Sequence, residues 1–442
     1  MSRYFTRERF GRPQFLAGLL LLAFAGQAMW LVHQELRVGN GPELAEAARI
    51  REGWKQWQGH GIAAAPAMGF GRDADGQKSS AEGLAAGKEN LSVPAVEDPA
   101  GNPPSHPLNP FGDESGFDAQ HSPLLYLASA GPLLLWPKHL EMESAEYWRW
   151  LPRLPFLACG MLLGASLWYV ARRLCGNTGG FVALTLYCFS PALIQASAVW
   201  HTEPEIAAVW GAFGAIFTSI AVAHTLYAPR EVVLWNWRRI VLLGISLGIA
   251  VGSQFSMIVL VPTALAFLLY VAPVRRGAGV VIWIAACVVG VGLLFGFYFF
   301  NPRIFVEGMR HAEFWGATWR GFTVWGVYKQ VAVQIGRACP ALILALPVAL
   351  VTYAVWPRAR YFGNTAPLLV ALIFVVLGMA HPHVAGEGFL LASVPFVLIF
   401  VAGALADLME TRQRWLVRAS VLGLMVAYAV WSLVNLARVQ VG

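Results

Sequence analysis

Charge is what this sequence has least of. Only 13% of its 442 residues are Asp, Glu, Lys or Arg, against about 25% in a soluble globular chain. That is too few to solvate the surface of a soluble protein of this length. Cysteine is scarce too. Cys159, Cys175, Cys188, Cys287 and Cys339 form no C-x-x-C pair, and all but Cys175 fall within or at the edge of apolar runs. This pattern excludes a disulfide framework and a cysteine-based zinc site. No strand–G-x-G-x-x-G–helix unit and no P-loop is present, so nothing points to a nucleotide fold. The net charge of +7 is not a nucleic-acid footprint, because the basic residues stand in pairs between apolar runs rather than in one patch. No repeat of 20–50 residues is found.

What the chain does have is hydrophobic length: 57% of its residues are hydrophobic, concentrated in runs able to cross a hydrocarbon core about 30 Å thick. In lipid such runs must be helices, since every backbone N–H and C=O needs an internal partner. The expected fold is an all-α polytopic membrane protein forming a single membrane domain over residues 1–442, with about 11 transmembrane helices. The first covers Gln14–Val32, after an N-terminus carrying Arg3, Arg7, Arg9 and Arg12. It is too long for a signal peptide and lacks a clean cleavage motif, so it reads as an uncleaved span. The others are expected near Leu154–Ala171, Gly179–Val199, Glu205–Tyr227, Ile240–Ser253, Met257–Ala272, Gly279–Phe299, Ile335–Val355, Ala366–Ala380, Gly388–Ala406 and Ala419–Ala437. The pair flanking Gly252 to Ser256 has short halves and could instead be one long, broken helix.

Loop charge sets the expected orientation. Segments 1–13, 172–178, 228–239, 273–278, 356–365 and 407–418 each carry two to four Lys or Arg, whereas 200–204, 254–256 and 381–387 carry none. This predicts a cytoplasmic N-terminus and an outside C-terminus, in an inner or plasma membrane. Of the 25 acids, all but Glu8, Glu231, Asp407 and Glu410 then lie outside or at the outer rim. Two outer segments are long. The first, 34–153, divides into an amphipathic surface helix at 42–58, an irregular insertion at 59–120, and a juxtamembrane or re-entrant helix at 122–136. The second spans 301–334.

Within this frame the order of several short motifs resembles a known family. His121-Ser122-Pro123-Leu124-Leu125-Tyr126, then Tyr147-Trp148-Arg149-Trp150-Leu151-Pro152-Arg153-Leu154-Pro155, then Ala171-Arg172-Arg173-Leu174-Cys175-Gly176, then Ser190-Pro191 and His201-Thr202-Glu203-Pro204 are similar in order, spacing and membrane side to GT-C superfamily polyprenyl-phosphate-dependent glycosyltransferases. The branch resembled is that of protein O-mannosyltransferases and aminoarabinose transferases, and the best-matching stretch is Gln120 to Phe213. The resemblance implies that a sugar moves from a polyprenyl-phosphate donor to an acceptor at the outer face. A first-loop carboxylate would be the general base, and cations would stabilise the leaving phosphate. It implies membrane lipid and the sugar–lipid donor as partners, no nucleic acid, and a divalent metal in some relatives.

The resemblance also sets the candidate residues. The family's Asp-Glu after the first span falls on Asn40 and Gly41 here. Glu43 and Glu46 are the substitutes within a turn, and Asp113, Glu114 or Asp118 could fold back to the same place. Glu43 and Glu46 read equally as the solvated, dipole-favoured start of a surface helix. Glu203, beside His201 in a five-residue turn, is the best-fixed candidate acid, its other reading being an N-terminal cap on the following helix. His121, His201, Arg303, Arg310 and His311 are the candidate donor and phosphate contacts. The last three also fit an interfacial helix with an aromatic belt. Two further departures stand out. Ser253-Gln254 replaces the family's frequent Thr-Lys, and Gly388-Phe389 replaces its Arg-Tyr. A multi-pass transporter or flippase, and a catalytically silent lipid-binding relative, are the rival functions.

Overall fold

The structure is a computed structural model and describes residues 13–38, 44–59, 118–136, 149–198, 205–227, 237–314, 319–380, 384–410 and 414–438. These are mostly helical, with no strand among the described residues. In chain order the α-helices are α1 (Pro13–Val38), α2 (Leu44–Gly59), α3 (Pro123–Ala130), α4 (Leu154–Cys188), α5 (Pro191–Ala198), α6 (Glu205–Thr225), α7 (Trp237–Ser253) and α8 (Leu260–Val271). They continue as α9 (Arg276–Phe297), α10 (Pro302–His311), α11 (Trp325–Ala338), α12 (Leu342–Val355), α13 (Phe362–Ala380), α14 (Val384–Met409) and α15 (Arg414–Arg438). The chain is an all-α, multi-pass membrane protein.

Among the described residues seven helices are long and apolar enough to cross a membrane, and α11 with α12, bent by 107° at their junction, add an eighth if the pair is one broken span. The eleven expected spans exceed this for two reasons. The first is α4, which the helix count takes as a single element although it is two antiparallel arms. Cys175 and Gly176 leave helical geometry, Gly176 at φ 73°, a region that favours glycine. The Tyr187 hydroxyl then donates to the Gly160 carbonyl at 2.5 Å. A straight helix would hold residues so far apart in sequence about 40 Å from each other. The second reason is the shortness of α7 and α8. Gly244, Gly248 and Gly252 of α7 meet Ala286, Gly290 and Leu294 of α9 in the same direction. In α8, Val261 accepts from Trp283 Nε1 at 2.8 Å and Leu269 lies beside Gly279, so α8 runs the opposite way along α9. The chain therefore reverses at Gln254, and one long broken helix is excluded.

The bundle closes around α14, of which 94% of the most apolar stretch is buried. A helix apolar on every side belongs in the centre. Its Phe396 packs against Phe213, Phe217 and Phe374 at ring separations of 5.4–5.7 Å.

Connections sort to two ends. At one, the Tyr361 hydroxyl reaches Cys175 Sγ, Asn364 Nδ2 donates to Asp407 Oδ2 at 3.1 Å, and Arg358 pairs with Glu410 at 2.9 Å. Tyr270 stacks on Phe362, and the Tyr227 hydroxyl donates to the Val271 carbonyl. The Arg-rich turns read as inner loops thus share this end. At the other, Phe255 N donates to the Gln120 carbonyl at 2.8 Å and Glu313 N to the Ala119 carbonyl at 2.7 Å, which joins both long loops to the 254–256 turn.

Helix α2, expected along the membrane surface, packs one face on protein. Its Ile50 and Trp54 are buried against Leu133 and Leu151, and Trp57 Nε1 donates to the Leu127 carbonyl. The apolar face is therefore taken up by protein: a side chain at Gly53 would collide with the Tyr126 carbonyl. After α3 the chain tightens into a 3-10 turn, Gly131–Leu135. Of the insertion, 60–117 lies outside the described residues.

Candidate functional site

The residues leading into α3 form a compact polar cluster at the end opposite the Arg-rich turns. Asp118 starts it with an Asx turn, its Oδ1 accepting from Gln120 N at 2.8 Å and His121 N at 3.2 Å. Ser122 caps α3 by accepting from Leu124 N, and Pro123 occupies the first helical turn, where a missing N–H costs nothing. Ser122 also donates through both N and Oγ to the Gly252 carbonyl, the latter at 2.6 Å, which ties α3 to α7. About one turn into α3, the Tyr126 hydroxyl donates to Asp118 Oδ2 at 2.5 Å, while His121 Nδ1 lies 2.9 Å from the same oxygen.

Asp118 thus sits with its side chain 11% exposed and both oxygens engaged. Burial alone would raise its pKa. The His121 charge and the hydrogen bonds from His121, Tyr126 and Gln120 outweigh that and hold the carboxyl below its ordinary value. The group is a carboxylate at neutral pH, fixed in orientation and largely enclosed. Removing the Tyr126 hydroxyl takes away one bond to the charged form, so Tyr126→Phe is expected to raise the Asp118 pKa. The check is an NMR titration of the Asp118 carboxyl carbon, or an acid limb of the pH–rate profile displaced toward neutral pH.

The backbone beside this cluster is strained. Phe299 and Phe300, consecutive and bulky, have φ of 52° and 56°, a left-handed conformation costing roughly 1–2 kcal/mol per residue. Aromatic packing holds it: Phe299 stands edge-on to Trp57 at 5.9 Å and Phe300 edge-on to Phe295 at 5.4 Å. Strain held in this way beside a polar cluster is a feature of functional sites.

Of the candidate residues, His121 is buried in this cluster. Arg303 and Arg310 lie on α10, exposed, and the His311 ring bonds the Glu307 carbonyl at 2.9 Å. Helix α10 joins the cluster through the Glu313–Ala119 bond just beyond it. Glu43, His201 and Glu203 lie outside the described residues, as does the Glu46 side chain. Among the described residues no three His, Cys, Asp or Glu gather as a metal cage, and Asp118 with His121 gives two potential ligands, short of a binding set.

A cleft of about 330 Å³ opens on the same half of the bundle, between α5, α11 and α14. Ala192, Ile335, Leu390 and Val394 make it apolar, with Gln195, Gln334 and Arg337 at its polar edge. Its Leu390 lies half a turn from Gly388, and a Cβ at Gly388 would come within 2.5 Å of Gln254 Oε1. The sequence named Asp118 only as one of several acids that could fold back. Tyr126 fell inside the motif His121 to Tyr126 but without a role, and nothing in the sequence marked Ser256.

The profile of the dolichyl-phosphate-mannose-protein mannosyltransferase family matches residues 129–299. No curated protein matches the chain. Similar solved structures include the oligosaccharyltransferase of Archaeoglobus fulgidus tethered to an acceptor peptide containing the NVT sequon, at 12% identity and a TM-score of 0.47, covering 72% of this chain and 47% of that one. The same enzyme with zinc and sulfate matches at 14% identity and a TM-score of 0.45, covering 72% and 44%. With an inhibitory peptide and a dolichol-phosphate it matches at 12% identity and a TM-score of 0.44, covering 72% and 47%. The chain spans less than half the length of these structures. The stretch that this profile matches overlaps the motifs between Gln120 and Phe213, so the family the motifs resemble and the family whose profile matches residues 129–299, the dolichyl-phosphate-mannose-protein mannosyltransferases, agree.

Proposed function

We propose that the chain is a glycosyltransferase of the cell's inner or plasma membrane that moves a sugar from a polyprenyl-phosphate carrier to an acceptor at the outer face. In this reading the N-terminus is cytoplasmic and the C-terminus outside. The observation that supports it best is Asp118, a buried, oriented carboxylate on the half of the bundle away from the Arg-rich turns. The acceptor oxygen or nitrogen attacks the anomeric carbon, the bond from that carbon to the phosphate oxygen breaks, and the lipid phosphate leaves with the electron pair. Asp118 takes the acceptor's proton, which requires only hydrogen-bond reach. His121 and Tyr126 keep its lone pairs aimed.

Arg303, Arg310, His311 and His201 remain the proposed phosphate and donor contacts, since a cation placed where charge develops lowers the barrier. The cleft bearing Arg337 suits the carrier's first prenyl units. Glu203, Glu43 and Glu46 remain proposed acids, Glu203 as the alternative base. A divalent metal would need ligands beyond Asp118 and His121.

The experiment is a transfer assay in sealed vesicles, with polyprenyl phosphates carrying radiolabelled neutral hexoses and pentoses supplied on the side away from the Arg172–Arg173 turn. Label is expected to leave the lipid only when donor and protein share that side. Folded protein that neither binds nor consumes any donor of the panel would overturn the proposal.

A further inference from the structure

The turn between α7 and α8 buries two polar atoms that the fold leaves without partners. Gln254 is 5% and Ser256 9% exposed. Neither Gln254 Oε1 nor Ser256 Oγ has a hydrogen-bond partner among the described residues. Such an orphan costs about 1–3 kcal/mol, and native proteins satisfy nearly all of them, with protein, water or ligand.

The place of these atoms narrows what could satisfy them. A Cβ at Gly388 would stand 2.5 Å from Gln254 Oε1 and 3.0 Å from its Nε2, so the amide occupies space that any larger residue would fill. Gln254 and Gly388 are the two positions at which this chain departs from the cations of the family it resembles. Distant in sequence, they touch in the fold, so an amide and bare backbone, with the Ser256 hydroxyl two residues on, stand at this turn and no cation does. A phosphate presents acceptor oxygens and is held by cations or dense N–H donors. Gln254 Oε1 is itself an acceptor and needs an O–H or N–H. A sugar ring supplies hydroxyls that both donate and accept. The turn is also fixed to the proposed base, because Phe255 N bonds the Gln120 carbonyl and Gln120 N bonds Asp118 Oδ1, each at 2.8 Å.

We propose that Gln254 and Ser256 form a subsite for the hydroxyls of an uncharged sugar ring, the transferred group of the donor, while the phosphate is held by other residues. This rests on the glycosyltransferase reading and adds to it the class of sugar and the residues that select it.

The test uses the full chain in nanodiscs, titrated with a polyprenyl phosphate bearing a neutral hexose and with the same lipid lacking the sugar. The wild type is expected to favour the sugar-bearing lipid. Gln254→Leu is expected to weaken that lipid roughly tenfold, the loss of about one well-made hydrogen bond, and to leave the bare lipid unchanged. Ser256→Ala, a smaller change less able to disturb folding, should move the same way. Gly388→Ala, which displaces the amide, should mimic Gln254→Leu. If every variant leaves both affinities unchanged, the orphans serve a buried water and the inference is wrong. If Gln254→Leu weakens both lipids equally, it contacts phosphate and the inference is again wrong. A wild type that binds both lipids alike removes the inference and leaves the functional reading standing. Binding of neither removes both.

Discussion

Replacing Asp118 with Asn is expected to lower transfer at least about a hundredfold while leaving the protein folded, since positioned general-base catalysis contributes about 10²–10⁴. The substitution is nearly isosteric. Asn keeps an oxygen to accept from Gln120 N and His121 N, so the Asx turn that launches α3 survives. What is lost is the charge and the lone pairs of Oδ2, on which the Tyr126 hydroxyl and His121 converge. The measurement is the initial rate of label transfer, with circular dichroism and size-exclusion behaviour as controls for folding. The companion variant, Glu203→Gln, separates two bases. If Glu203→Gln abolishes transfer and Asp118→Asn leaves it near wild type, the base is Glu203 and Asp118 only caps and orients. If Asp118→Asn alone is inactive, the first-loop carboxylate has moved along the chain from the family's place, at Asn40 here, to Asp118.

The Asp118 cluster shows where the sequence was readable and where it was not. Helix positions were legible because lipid forces apolar runs to be helical, and the grouping of the Arg-rich turns at one end because Arg marks them. The meeting of Cys175, Tyr361, Asn364 and Asp407 at one end agrees with that grouping. The α4 turn was legible from Ala171-Arg172-Arg173-Leu174-Cys175-Gly176. The Asp118 cluster was only half legible. His121 and Tyr126 fell inside a recognisable motif, but the acid they hold stands just upstream, at the edge of a segment whose composition reads as irregular. The Asx turn, the bonds from His121 and Tyr126 and the tie of Gln120 to Phe255 fix it, and tertiary hydrogen bonds leave no periodic trace. The link between Gln254 and Gly388 was invisible for the same reason: each looked like a separate lost cation until packing joined them.

A Gly244→Ile change is expected to do the largest structural damage, although it lies far along α7 from the Asp118 cluster. Gly244, Gly248 and Gly252 repeat every four residues and form one stripe on α7. Stripes of small residues let helices approach closely in lipid, where no hydrophobic force drives them together. Here a Cβ at Gly244 would stand 2.5 Å from the Ala286 carbonyl oxygen and 2.6 Å from the Val289 Cβ, and one at Gly248 3.1 Å from the Gly290 carbonyl. Backbone cannot yield as a side-chain tip can, so α7 must move off α9. Overpacking of this kind typically costs 1–3 kcal/mol and sometimes more. Moving off α9 is also constrained from behind: a Cβ at Gly211 of α6 would lie 2.6 Å from Ala250 N of α7. The displacement must therefore pass along α7 to its end, where the Gly252 carbonyl holds Ser122 and, through it, the start of the Asp118 cluster. Gly244→Ile should lower the midpoint of thermal unfolding in detergent and depress transfer together. Gly423→Ile, at a position with nothing within 4 Å of a new Cβ, should change neither. If Gly244→Ile leaves stability and transfer at wild-type levels, α7 and α9 do not pack on this stripe, and the route from the bundle core to Asp118 is wrong.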